Sequence, residues 1–157
     1  MGLWFEPKFS YESHGFRPRL GCFTAMSNIE SWENVRWIID IDIRKCFVNI
    51  KHEKLIEIIG RYYSDKEFLA LIWKALKAGI IYSEDFLKAA MCEYPGENPL
   101  GTPQGYVLSP LLCNIYKNEF DQVVIDKVQM EINNSGYELY YCRYADYMIL
   151  GLTYPDR

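Results

Sequence analysis

An α+β fold is expected for this chain, built as a small antiparallel sheet backed by helices. Three observations predict it. Residues 35–43 form a β-branched, almost wholly apolar run, residues 139–152 hold two short apolar strands around a turn, and between them lie segments with helical periodicity. Half of the 157 residues are apolar, enough for a real core, and no internal repeat or low-complexity tract divides the sequence. A single domain over 1–157 is therefore expected.

The elements follow in order. Residues 7–21 are rich in Pro, Gly, Ser and Arg and read as an extended loop, with a short helix at Thr24–Ser31 behind it. The run Val35–Ile43 reads as a strand covered on both faces that ends in alternating Asp40 and Asp42. His52–Tyr63 sets Leu55, Ile56 and Ile59 on one helical stripe, and Asp65 is placed to cap a second helix through Phe68, Leu69, Ile72, Trp73 and Leu76, stopped by Gly79. The stretch Tyr94–Pro99 is a turn-rich loop. Ser109-Pro110 has the chemistry of a helix start, and the long helix behind it repeats Leu112, Tyr116, Phe120 and Val124 every four residues, with its charges expected on the other side. Asn133–Gly136 ends that helix. Leu139–Tyr144 and Met148–Leu152 then make a hairpin with Asp146 at its tip.

Charge and cysteine usage narrow the function classes. The net charge of −4 argues against a protein that simply coats nucleic acid, because such binding draws on clustered Lys and Arg. The acidity is regional: Cys92–Ile132 carries six carboxylates against Lys117 and Lys127. The five cysteines are scattered, odd in number and without a C-x-x-C pair, so neither a zinc site nor a disulfide framework is indicated and a reducing compartment is implied. No apolar run approaches the roughly 18 residues of a membrane span.

Two acids sit where acids are costly. Asp42 closes an apolar strand and Asp146 caps a hairpin of similar character. A lone Asp in such a place is more often a turn residue. A pair brought together would make a site for a hard divalent ion. Between them Gly101-Thr102-Pro103-Gln104-Gly105 precedes the helix start, a loop through which backbone approaches a ligand closely while Gln104 hydrogen-bonds it.

Four blocks in order give the chain a resemblance. They are Phe5-Glu6-Pro7 with Ser13-His14-Gly15-Phe16-Arg17-Pro18; Asp42-Ile43-Arg44-Lys45-Cys46-Phe47 with His52-Glu53-Lys54-Leu55; Gly101–Gly105 with Leu108–Leu112 and Asn114-Ile115-Tyr116; and Arg143-Tyr144-Ala145-Asp146. Together these resemble the group II intron reverse transcriptase and maturase family. The resemblance implies a polymerase palm at 35–157 with partial fingers at 1–34. It implies two-metal nucleotidyl transfer with magnesium, or manganese in its place, held by Asp42, Asp146 and the Ile43 carbonyl. Phe47 would sit under the incoming sugar and select deoxynucleotides; Gln104, Gly105 and Arg17 would contact nucleotide, phosphate or template. Asp40 would support the site. Implied partners are an intron RNA template, a DNA primer and deoxynucleoside triphosphates, with no membrane, in a mitochondrion or other organelle or else a bacterial cytoplasm.

The chain departs from the family at several positions. Tyr147 stands where the family's Tyr-Ala-Asp-Asp box has its second aspartate, and a neutral phenol supplies no charge to offset a metal. Tyr106 replaces a position that is usually small, Val48 one that is often Asp, and the second arginine of the fingers block is displaced to Arg19. Impaired polymerisation is expected. A splicing maturase that clamps intron RNA without polymerising, or a non-functional fragment, are the competing readings. The family's first fingers strands, thumb, maturase and endonuclease regions are expected to lie outside this stretch of sequence.

Overall fold

A computed structural model describes residues 2–77, 100–102 and 107–153. The first part of the chain forms α1 (Gly2–Phe5), a 3-10 turn (Glu6–Lys8), α2 (Cys22–Glu30) and β1 (Val35–Asp42). Next come α3 (Cys46–Asn49), α4 (His52–Gly60) and α5 (Lys66–Lys77). The last part holds α6 (Ser109–Val123), a π-helical stretch (Val124–Val128), α7 (Gln129–Asn134), β2 (Leu139–Tyr144) and β3 (Tyr147–Thr153). Gly79 and the loop expected at Tyr94–Pro99 lie outside the described residues. The described chain gathers into two compact units, one holding residues up to Arg44 and from Lys117 onward, the other Lys45–Tyr116.

In the first unit the sheet order is β1-β3-β2, antiparallel throughout. Side chains alternate faces along a strand. On one face Leu139 and Tyr141 of β2 and Met148 and Leu150 of β3 close over Val124. Ile125 and Ile132 pack against this cluster from the helical side. On the other face Cys142 meets α2, its thiol 3.8 Å from the Ala25 carbonyl. Burial, with Glu12 adding to it, pushes that thiol up to about 11. The expected α+β layering, a small antiparallel sheet backed by helices, is the architecture observed.

Two local expectations need correction. The strand β1 was expected to be covered on both faces, yet among the described residues it is an edge strand, and Trp37 and Ile38 are 63% and 66% exposed. The core centres on β2 and β3, and of β1 only Ile41, with Ile43 just beyond its end, packs against it. The long helix also turns a different face inward: Phe120 is exposed, while Asn114, Lys117, Asn118 and Asp121 are buried. A four-residue repeat overruns a 3.6-residue turn by about 40° at each step, so the stripe leaves the core between Leu112 and Phe120, whereas Val124, at the start of the π-helical stretch, is buried in it as expected.

In the second unit α4 and α5 pack together through Leu55, Ile58, Ile59, Ile72 and Leu76. Asp65 caps α5 as expected, its Oδ1 accepting the Glu67 and Phe68 amides at 2.9 and 3.1 Å. The thiols of Cys46 and Cys113, 67 residues apart in sequence, are buried in contact at 3.4 Å.

Candidate functional site

The two acids singled out from the sequence arrive at one end of the sheet. Asp42 is the last residue of β1 and stands in register with Tyr147, the first residue of β3. The β2–β3 hairpin closes with the pair Tyr144 and Tyr147, leaving Ala145-Asp146 as a two-residue turn. The Ile43 amide donates to the Asp146 carbonyl at 3.2 Å, which fastens the turn to the end of β1. Asp42 is exposed and Asp146 half-buried, so solvent reaches both. Period-2 alternation puts Asp40 and Asp42 on the same face of β1.

The turn is strained and heavily supported. Ala145 has φ of 55°, in the left-handed region that disfavours a Cβ. Its carbonyl accepts Lys117 Nζ at 2.9 Å and Arg143 NH1 at 3.0 Å. Arg143 is fully buried and also donates to Asp121: Nε lies 2.8 Å from Oδ1 and NH2 lies 2.8 Å from Oδ2. The same Oδ1 accepts the Tyr141 hydroxyl at 2.7 Å. Burial first, and the Asp121 charge second, push the Tyr141 phenol far above its ordinary value, so it remains a donor.

The N-terminal block clasps this hairpin from outside. The His14 amide donates to the Arg143 carbonyl at 2.8 Å, and the Arg143 amide donates to Glu12 at 2.7 Å. A Cβ on Gly15 would stand 2.3 Å from the Ala145 amide nitrogen, so only glycine allows the approach. Arg17 is turned inward. Its Nε meets Glu6 Oε1 at 2.9 Å, and NH1 donates to the Ser13 carbonyl at 2.6 Å and to the Ser10 carbonyl. The guanidinium expected at phosphate or template thus braces its own loop.

Phe47 belongs to the second unit, half-buried, and there the two motif segments join. Its carbonyl accepts the Thr102 amide, and the Ile50 carbonyl accepts that of Gly101, both at 2.7 Å. Gly101 has φ of 87°, and a Cβ on it would come within 3.0 Å of Val48 backbone. His52 Nε2 donates to the Gly101 carbonyl. The head of the Gly-Pro loop is therefore seated on Phe47–His52. Gln104, Gly105 and Tyr106 lie outside the described residues.

As a donor set, two carboxylates and the Ile43 carbonyl are hard oxygens of the kind magnesium and manganese take. Their two charges match one divalent ion and under-neutralise a second. Tyr147, 55% exposed across from Asp42, adds no charge. Among the described residues no three His, Cys, Asp or Glu side chains cluster. A cavity of about 530 Å³ in the first unit, lined by Trp32, Tyr140, Gln122 and Gln129 among others, includes none of the predicted site residues. Sequence reading missed the Asp121–Arg143–Lys117 group. Its one signal was Arg143, a charge set in an otherwise apolar and aromatic strand.

Comparison with known proteins bears on the same residues. Residues 3–157 match the reverse transcriptase (RNA-dependent DNA polymerase) family. The chain is 41% identical over 122 residues to the group II intron-encoded protein LtrA of Lactococcus lactis subsp. cremoris, covering 77% of this chain and 19% of that protein. It is 36% identical over 133 residues to the putative COX1/OXI3 intron 2 protein of Saccharomyces cerevisiae, covering 84% and 15% respectively. A more distant relative, at 27% over 99 residues, is nuclear intron maturase 1, mitochondrial, of Arabidopsis thaliana, covering 62% of this chain and 14% of that protein. The chain thus spans less than a fifth of the length of these relatives.

Proposed function

The chain belongs to the reverse transcriptase family, and from that premise we propose that it is the fingers and palm portion of a group II intron-encoded RNA-directed DNA polymerase whose nucleotidyl transfer is impaired at Tyr147. One observation carries the reading: the end of β1 and the hairpin turn are fastened together, so Asp42 and Asp146 share one end of the sheet. Asp42, Asp146 and the Ile43 carbonyl would hold magnesium, or manganese in its place. Bound there, such an ion would supply activation of a primer 3′-hydroxyl and charge to balance the leaving pyrophosphate.

The remaining parts are the chain's own. Phe47, seated against Gly101-Thr102, forms the floor beneath the incoming sugar and excludes a 2′-hydroxyl. Gln104 and Gly105 hold the nucleotide, with Tyr106 crowding it. Arg17 acts by bracing the loop that clasps the hairpin, not by meeting the template. Partners are an intron RNA template, a DNA primer and deoxynucleoside triphosphates. The protein works in an organelle, the mitochondrion first, or in a bacterial cytoplasm. Among the described residues no helix is long and apolar enough to cross a membrane. A second reading, a splicing maturase that grips intron RNA without polymerising, is favoured by Tyr147 itself.

The test is primer extension on poly(rA) with oligo(dT), in magnesium and in manganese, using the chain set in place of the matched segment of the Lactococcus lactis relative. Tyr147→Asp should raise extension by about a hundredfold, the scale on which a charge-stabilising group acts. Asp42→Asn should abolish whatever extension exists. No extension from Tyr147→Asp would sink the polymerase reading and leave RNA binding without catalysis.

A further inference from the structure

We propose that Lys117 and Arg143 are positioning residues that set the metal-binding carboxylate of Asp146 by gripping the peptide in front of it. The proposal rests on the assignment of Asp146 to the metal.

A peptide unit is planar, so its carbonyl oxygen, its amide nitrogen and the following Cα move as one body. The Ala145 carbonyl and the Asp146 Cα belong to one such plane. Two cationic donors, Lys117 Nζ from α6 and Arg143 NH1 from β2, fix that carbonyl from separate elements. The plane behind Asp146 is fixed too, because its own carbonyl accepts the Ile43 amide from the end of β1. Asp146 is thus held on both of its peptide planes. Each restraint alone leaves the plane free to pivot; together they aim the side chain.

The donors are themselves held. Arg143 is locked by Asp121, which Tyr141 tethers in turn, and all three are buried. Lys117 is buried as well and reaches the carbonyl along α6. Charge-assisted hydrogen bonds of this kind are shorter and stronger than neutral ones. They also hold Ala145 at its positive φ, a conformation that an alanine turn would otherwise leave. A helix residue 28 positions before Ala145 thereby determines where the next residue's carboxylate stands.

Lys117→Met is the informative variant, because it removes one donor and leaves the Arg143–Asp121 pair intact. Two readouts on the whole chain are needed: amide hydrogen exchange, and manganese binding followed by electron paramagnetic resonance. Lys117→Met should speed exchange at Ile43 relative to Tyr141 and weaken manganese binding by about tenfold, as loss of an outer-shell partner does. Lys117→Arg should restore both. In an Asp146→Asn background, Lys117→Met should change manganese affinity no further.

Three results would overturn the proposal. Faster exchange spread equally over all sheet amides would make Lys117 a general stabiliser. Weaker manganese binding that persists in Asp146→Asn would place its action elsewhere. Equal manganese binding by wild type and Asp146→Asn would remove the metal from Asp146 altogether. That last result would defeat the functional reading as well, whereas the first two defeat only the positioning role.

Discussion

Arg143 and Asp121 sit fully buried against each other, and what makes the pair tolerable is the completeness of its bonding. Asp121 receives three donors and Arg143 places NH1 on a carbonyl, so little of either charge is left without a partner. Removing one member leaves the other stranded in low dielectric. Arg143→Met should therefore cost about 3–5 kcal/mol of unfolding free energy, measured by urea titration. A loss below about 1 kcal/mol would show that water reaches the pair. His14 makes a pH-dependent case. The Thr24 hydroxyl donates to the Gly21 carbonyl at 2.8 Å, so its oxygen takes a proton from His14 Nδ1 at 3.0 Å, and His14 Nε2 is left bare and buried. Burial lowers the His14 pKa below its ordinary 6.5, outweighing the pull of Glu12, with Arg17 lowering it further. The unfolded chain then binds the proton more readily, so this contribution is complete above the unfolded value and fades as pH falls through it. Thermal melts at pH 5 and pH 7.5 should show a fall on acidification that His14→Gln reduces.

At the scale of elements, the hairpin was the most legible feature, because two apolar runs with a turn between them admit few other structures. The predicted strand bounds of Leu139–Tyr144 and Met148–Leu152 differ from β2 and β3 by a residue at either end of β3. Its near neighbour β1 was placed correctly in sequence and wrongly in the core. A run such as Trp37-Ile38-Ile39 reads as buried from composition, whereas sheet order, which a single sequence does not state, puts it at the edge. The long helix failed differently. Its inward face is largely polar, since Lys117 and Asp121 are drawn in by partners on β2 and at the turn, and no periodicity of apolar residues can announce that. Two substitutions separate the readings. Met148→Ala removes a wholly buried side chain from the sheet core and should cost about 2–5 kcal/mol. Phe120→Ala, 42% exposed, should lower the melting temperature far less. Equal losses would restore the four-residue stripe as the helix's packing face.

For the molecule as a whole, the candidate site was proposed from motif order, not from the physics of single residues. Asp42 and Asp146 lie over a hundred positions apart, and only the sheet register makes them neighbours. The seat of Gly101-Thr102 on Phe47 and the contact of Cys46 with Cys113 are equally long-range, and composition holds no trace of them. Charge is the global property that sequence does give outright. With 17 Lys and Arg set against 21 Asp and Glu, the chain has no surplus of cations to displace counterions from a phosphate backbone. Aromatic stacking and hydrogen bonds would then carry most of whatever RNA affinity it has. Because the slope of log K against log salt counts neutralised phosphates, fluorescence anisotropy with a labelled single-stranded RNA should fall by less than about tenfold between 50 and 200 mM salt. A drop of about a thousandfold would mean six or more phosphate contacts. That would reveal a concentrated basic surface which the overall acidity conceals, and would make this portion an RNA clamp in its own right.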